Sequence, residues 1–152
     1  MGQETIPVAR FIDRLDECFN HNDMKGAREC ITFWEGEARR LNDDRGLLAV
    51  LNEAVGYYRR VKKKTRALEA TEECLRLVES LDQSRNRSGA TIYVNAATTM
   101  SFFGQPEKAL ELYGKAADCF EAENATASYE YAALLNNRAA AYNELKRYDE
   151  AE

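Results

Sequence analysis

Residues 88–120, SGATIYVNAATTMSFFGQPEKALELYGKAADCF, decide the fold. They read as helix, turn, helix. Ser88 stands where a helix from about Gly89 to Phe102 needs a cap, since a short polar side chain can accept from the first unpaired backbone N–H groups. Phe103-Gly104-Gln105-Pro106 then breaks the helix. Glycine tolerates the left-handed backbone that ends helices, and proline suits the first turn of the next one. That next helix carries Ala109, Tyr113, Ala116 and Phe120 at spacings of 4, 3 and 4, one face of a 3.6-residue period. Glu107, Glu111, Lys115 and Asp118 lie opposite.

The same unit recurs on both sides. Ala27, Ala67, Ala109 and Ala151 are separated by 40, 42 and 42 residues, and Asn52, Asn95 and Asn137 by 43 and 42. Ala67-Leu68-Glu69 returns as Ala109-Leu110-Glu111, and Asn95-Ala96-Ala97 as Asn137-Arg138-Ala139. Two residue types sharing one period mark an internal repeat. The second unit predicts helices from about Asp44 to Arg60 and Thr65 to Leu81. The fourth predicts one from about Ala127 to Leu145, after which Arg147-Tyr148-Asp149-Glu150-Ala151 opens another. The recurring alanine has a packing reason: a bulky residue where two helices cross would push their backbones apart.

Composition agrees. The 152 residues hold 45% hydrophobic and 31% charged residues, which suits one folded domain and excludes a disordered tail or a membrane span. Only 2 prolines occur, Pro7 and Pro106, with 98 proline-free residues between them, the mark of an all-helical chain. The net charge of −5 gives no whole-surface attraction for nucleic acid or anionic lipid. The 4 cysteines, Cys18, Cys30, Cys74 and Cys119, form no CxxC pair, and with 1 histidine they predict small buried thiols and no metal site. The first residues, MGQETIPVARF, lack the basic and apolar regions of a signal peptide, and Ile6 breaks the myristoylation pattern. Asn86-Arg87-Ser88 and Asn124-Ala125-Thr126 match glycosylation sequons, which carry little weight without a secretion signal. The expected location is a reducing cytoplasm.

Counted from Ala90, the third unit places Ala97, Met100, Gly104, Pro106, Ala109, Tyr113 and Ala116 at eighth, eleventh, fifteenth, seventeenth, twentieth, twenty-fourth and twenty-seventh positions. The fourth, from Ala132, places Ala139, Tyr142, Lys146, Tyr148 and Ala151. The second, from Leu47, places Ala54 and Tyr57, then Ala67, Thr71 and Cys74 after one inserted residue near Lys62-Lys63-Lys64. The first offers Leu15, Cys18, Ala27, Ile31 and a bulky Trp34. This pattern resembles the tetratricopeptide repeat (TPR) family. The period of about 42 residues exceeds the family's basic 34, so the chain resembles the long-helix subgroup that includes kinesin light chains and several bacterial peptide-sensing regulators. The resemblance implies one all-α domain: a right-handed α-α superhelix, a TPR-like solenoid of antiparallel helix pairs. It would have about seven helices and a truncated eighth, with repeats at about 8–42 (atypical, a cap), 47–82, 90–123 and 132–152 (incomplete).

The resemblance also places a concave face on the first helix of each pair. In the second unit it would comprise Leu48, Leu51, Asn52, Val55 and Tyr58; in the third, Thr91, Val94, Asn95, Thr98 and Ser101; in the fourth, Ala133, Asn136, Asn137, Ala140 and Asn143. None is charged. An asparagine side chain can pair with a peptide unit's C=O and N–H together, so a row of them suits an extended backbone of any sequence. The alternative is that they brace neighbouring helices. The peptide-binding candidates are Asn52, Tyr58, Asn95, Thr98, Asn136, Asn137 and Asn143. The family's carboxylate clamp needs Lys and Arg at the second, fifth and sixth positions, where this chain has Thr91, Ala133, Asn95 and Asn137, so capture of a chaperone tail is not expected.

Residues 59–66 hold six cations in eight positions, read as a solvated turn with an acidic partner as the alternative. His21 is expected at the surface, and Phe33 and Trp34 in the core. No nucleophile, base and orienter come at a known spacing, and there is no phosphate loop or HExxH. The expected function is a non-enzymatic interaction module without cofactor or metal, holding an extended segment of a protein partner. The alternatives are a peptide-sensing part of a larger regulator and an architectural, self-associating unit. The last helix carries Leu134, Leu135, Ala139, Tyr142 and Leu145, more apolar surface than one neighbour covers. The chain is therefore expected to be a fragment of a longer repeat protein or to associate end to end.

Overall fold

The computed structural model describes residues 4–82 and 86–151. It is all helical over those residues: α1 (Val8–Asn20), α2 (Met24–Arg40), α3 (Asp44–Arg60), α4 (Lys64–Ser80), α5 (Arg87–Phe102), α6 (Pro106–Ala122) and α7 (Tyr129–Ala151). Consecutive helices pack on one another, α1 with α2, α2 with α3, α5 with α6 and α6 with α7, as in an α-α solenoid. The chain divides into two compact units, Met1–Leu77 and Val78–Glu152.

One turn closes almost every helix. A residue in the left-handed region follows each of α1 to α6: Asn22, Asn42, Lys62, Asp82, Gly104 and Asn124, with φ between 53 and 78°. The next residue's N–H reaches back five positions to bond a carbonyl inside the helix, as from Asp23 to Cys18 at 2.7 Å, Asp43 to Ala38 at 2.9 Å and Gln105 to Met100 at 2.8 Å. The left-handed residue itself bonds three back, as Asn22 does to Phe19. This double closure satisfies the last carbonyls of the helix. After α1 and α2 the same residue that closes one helix caps the next. Asp23 accepts from Gly26 N–H at 2.8 Å and Asp43 from Gly46 N–H at 3.0 Å. A left-handed residue about every 20 positions is therefore the shorter period inside the 42-residue repeat.

Asp43 does more than cap. Its second oxygen accepts from Ile6 N–H at 2.9 Å, and the residue is 4% exposed. Glycine is required at position 46, because a Cβ there would lie 2.7 Å from Ile6 Cγ1 and against the Asp43 carboxylate.

Each unit's core is built on the expected small residues. Ala27, Ala67 and Ala109, each the fourth residue of its helix, are fully buried. Thr71 is buried too, its hydroxyl donating to the Ala67 carbonyl at 2.7 Å. In the first unit Arg39 of α2 holds both Glu73 oxygens of α4, at 2.7 and 3.0 Å. That bond pulls the Glu73 carboxyl below its usual range.

Three expectations change. Asn86 caps α5 in place of Ser88, its Oδ1 accepting from Gly89 N–H at 2.9 Å, because a cap must sit three residues before the N–H that it serves. The turn expected after Leu145 is not formed, and α7 continues to Ala151 without an eighth helix, since Glu144 to Arg147 are all strong helix formers with no glycine, proline or asparagine among them. Phe33 is not core but 57% exposed; adjacent residues of a helix point about 100° apart, and Ala27, Ile31 and Ala38 take the buried stripe of α2. The packing of Ala151, and residues 1–3 with the myristoylation position, lie outside the described residues.

Candidate functional site

The predicted peptide-binding residues fall in two separate units. Asn52 and Tyr58 lie on α3 in the first. Their intended companions Leu48, Leu51 and Val55 are 5, 3 and 2% exposed, so that face is packed core and not an open wall. The reason is that α3 is a central helix of its unit: it packs on α1 and α2, and an apolar residue on either side is consumed. Asn52 is half-buried. Tyr58 is half-buried edge-on to Tyr57 at 5.3 Å, and burial pushes its hydroxyl above the ordinary value.

The second unit holds the rest. On α5, Thr98 and Asn95 are half-buried and Thr91 is exposed. The Thr98 hydroxyl lies 3.2 Å from Tyr113 Oη of α6. On α7, Asn136, Asn137 and Asn143 are all exposed, with Ala140 between them. At 100° per residue they lie within an arc of about 120°. Leu134 and Ala141, which are buried, fall outside that arc. The three side chains make no hydrogen bond among the described residues, so their amides present both donors and acceptors outward. Helices α5 and α7 pack together, and Ser101 Oγ donates to Glu144 Oε2 at 3.1 Å across that junction. The face is thus not wholly uncharged. Glu144 follows directly on Asn143, and reading a repeat position too strictly hid it.

A second feature belongs to the first unit. A cleft of about 360 Å³ between α1 and α2 is lined by Arg10, Arg14, Gly26, Glu29, Cys30, Phe33 and Trp34. Arg10 and Arg14 are one turn apart on α1, and Phe33 meets Trp34 edge-on at 4.9 Å. The sequence carries no signal for it beyond the aromatic pair, because the arginines come from a different helix.

The basic turn is solvated as expected. Lys62, Lys63, Lys64 and Arg66 are exposed, and Arg60 lies over the Phe19 ring at 5.0 Å. His21 is exposed and donates from Nδ1 to the Glu17 carbonyl at 2.9 Å. All four cysteines are buried free thiols, and burial pushes Cys74 up to about 12. Among the described residues no group of three or more His, Cys, Asp or Glu side chains is placed to hold a metal ion, and no helix is long and apolar enough to cross a membrane. No family model matches the chain, and comparison with curated proteins finds no match.

Proposed function

We propose that the chain is a TPR-like, non-enzymatic interaction module of the cytoplasm that holds an extended peptide segment of a protein partner. The observation that carries this is the row of Asn136, Asn137 and Asn143, exposed on α7 without hydrogen bonds among the described residues, on the helix whose Glu144 accepts from Ser101 of α5. Several exposed amides on one helix face offer a partner both donors and acceptors. Such amides serve a backbone, whose C=O and N–H recur whatever the side chains are. The helical repeat supports the reading, since solenoids build binding surfaces by stacking one unit after another. The half-buried Asn95 fits the bracing role, so binding rests on the α7 residues.

The test is selection of short peptides from a displayed random library on the 152-residue chain, followed by affinity measurement. Changing Asn136 and Asn137 together to Ala is expected to weaken selected peptides at least about tenfold, the loss of one to two good hydrogen bonds. Melting should not move, because both residues are exposed. Peptides that bind the double variant equally well, or that are lost on changing Arg10 and Phe33 instead, overturn the assignment.

A further inference from the structure

Four helices of this chain carry the same face. It consists of a bulky or apolar residue, a second four positions on and a third three beyond that: Phe11, Leu15 and Cys18 in α1; Val50, Ala54 and Tyr57 in α3; Tyr93, Ala97 and Met100 in α5; Leu135, Ala139 and Tyr142 in α7. The first three faces are buried to 7% exposure or less at every residue. In α7 Leu135 is 40% and Tyr142 62% exposed, with Ala139 open between them. The exposed strip borders an interface already formed: Tyr131, one turn before Leu135 on α7, packs edge-on against Phe120 of α6 at 5.8 Å, while Leu134 and Ala141, about 100° from the strip, are buried.

The molecule itself shows what covers such a face. Helix α6 packs on α5, with Lys115 Nζ 5.9 Å over the Tyr93 ring and Tyr113 Oη beside Thr98. Helix α2 packs likewise on α1. Both covering helices have alanine at the fourth position, Ala27 and Ala109, fully buried, and a bulky residue four later, Ile31 and Tyr113. A small residue lets two helix backbones approach closely, and a large one fills the space beside it.

We propose that the Leu135–Ala139–Tyr142 face of α7 docks a partner's amphipathic helix of the α6 pattern, with a small residue at its fourth position and a bulky apolar one at its eighth. This surface differs from the asparagine face and does not depend on it. A second copy of the chain is a poorer occupant, because its helices of this pattern have Ala27, Ala67 and Ala109 already buried.

The probe is a synthetic peptide copying residues 104–123, titrated into the 152-residue chain at roughly 0.3 M salt, where repulsion between acidic partners is screened. The readouts are calorimetry and the ring signals of Tyr142. Saturable binding is expected, weakened at least about tenfold by Ala139→Glu in the chain and, separately, by Ala109→Leu in the peptide. Changing Asn136 and Asn137 to Ala should leave it unchanged, which separates this surface from the peptide groove. Helix content and melting establish that Ala139→Glu folds; if it does not, Tyr142→Ala, at an exposed position, serves instead. The proposal is overturned by no saturation up to about 1 mM, by equal affinity for the variants, or by self-association of the chain that Ala139→Glu abolishes.

Discussion

At the scale of single residues, two aspartates with the same local role differ in what depends on them. Asp23 and Asp43 each cap a helix through a glycine N–H three residues on. Asp23 is exposed, whereas Asp43 is buried and also holds Ile6 N–H. Asp23→Ala is expected to cost about 1 kcal/mol, the ordinary loss of a cap. Asp43→Ala should cost about 1–3 kcal/mol more, because it leaves a buried N–H without a partner. Urea titration of both variants checks the difference, and equal midpoints would remove Asp43 from its tertiary role. Cys74 sets an alkaline limit. Its thiol is pushed from an ordinary 9.0 up to about 12 by burial, and burial raises Tyr58 and Tyr93 as well. The unfolded chain therefore gives up these protons first. The stability that comes from keeping them bound is intact below pH 9 and is lost as pH rises from there toward 12. Melting temperature should fall over that window, and a Cys74→Ala variant should fall less steeply.

At the scale of helices, glycine has opposite meanings at two places on α3. A methyl group added at Gly56 would meet nothing within 4 Å. Gly56→Ala should therefore stabilise by about 0.5–1 kcal/mol through helix propensity alone. Gly46→Ala should destabilise, since the methyl meets Ile6 and the capping carboxylate. Between helices, Ala109→Leu should cost about 1–3 kcal/mol at its close crossing, while Asp118→Ala on the outer face should stay within about 0.5 kcal/mol. Thermal melts of these variants test the packing register directly. Much of this level was legible in advance. Asp44 to Arg60 is bounded as the pattern predicts, and Gly104-Pro106 breaks the chain where it should. Apolar spacing and turn chemistry are local, and they survive in one dimension. What failed was not local. Leu48, Leu51 and Val55 read as a groove wall, but a helix between two neighbours has no free side, and the sequence does not say how many neighbours a helix has. The shorter period of left-handed residues was visible as Asn22, Asn42 and Asn124, yet Lys62 and Asp82 at equivalent places disguise it.

At the scale of the whole chain, charge is unevenly divided. The net charge of −5 belongs entirely to one half. Residues 1–77 hold fourteen cations against fourteen anions, and residues 78–152 hold seven against twelve. The asparagine face and Glu144 lie in the acidic half. A peptide rich in lysine or arginine should therefore be drawn to that half, with an attraction that weakens with salt. Adding a short oligolysine peptide should shift amide signals of residues 86–151 and leave those of 4–77 largely unmoved. Raising salt from about 0.05 to 0.5 M should abolish the shifts. Equal perturbation of both halves would show that the charge division steers nothing.

The turns that close α1 and α2 also govern how the protein ages. Asparagine followed by a small or acidic residue deamidates when the next backbone nitrogen attacks its side-chain carbonyl carbon to form a cyclic imide. At Asn22 and Asn42 that nitrogen belongs to Asp23 and Asp43, whose N–H groups are held in hydrogen bonds of 2.7 and 2.9 Å to carbonyls of the preceding helix. The attacking atom is thus tied down for as long as the turn stays closed. Deamidation at these two sites, followed by mass spectrometry in stored protein, becomes a slow clock that counts openings of the helix ends.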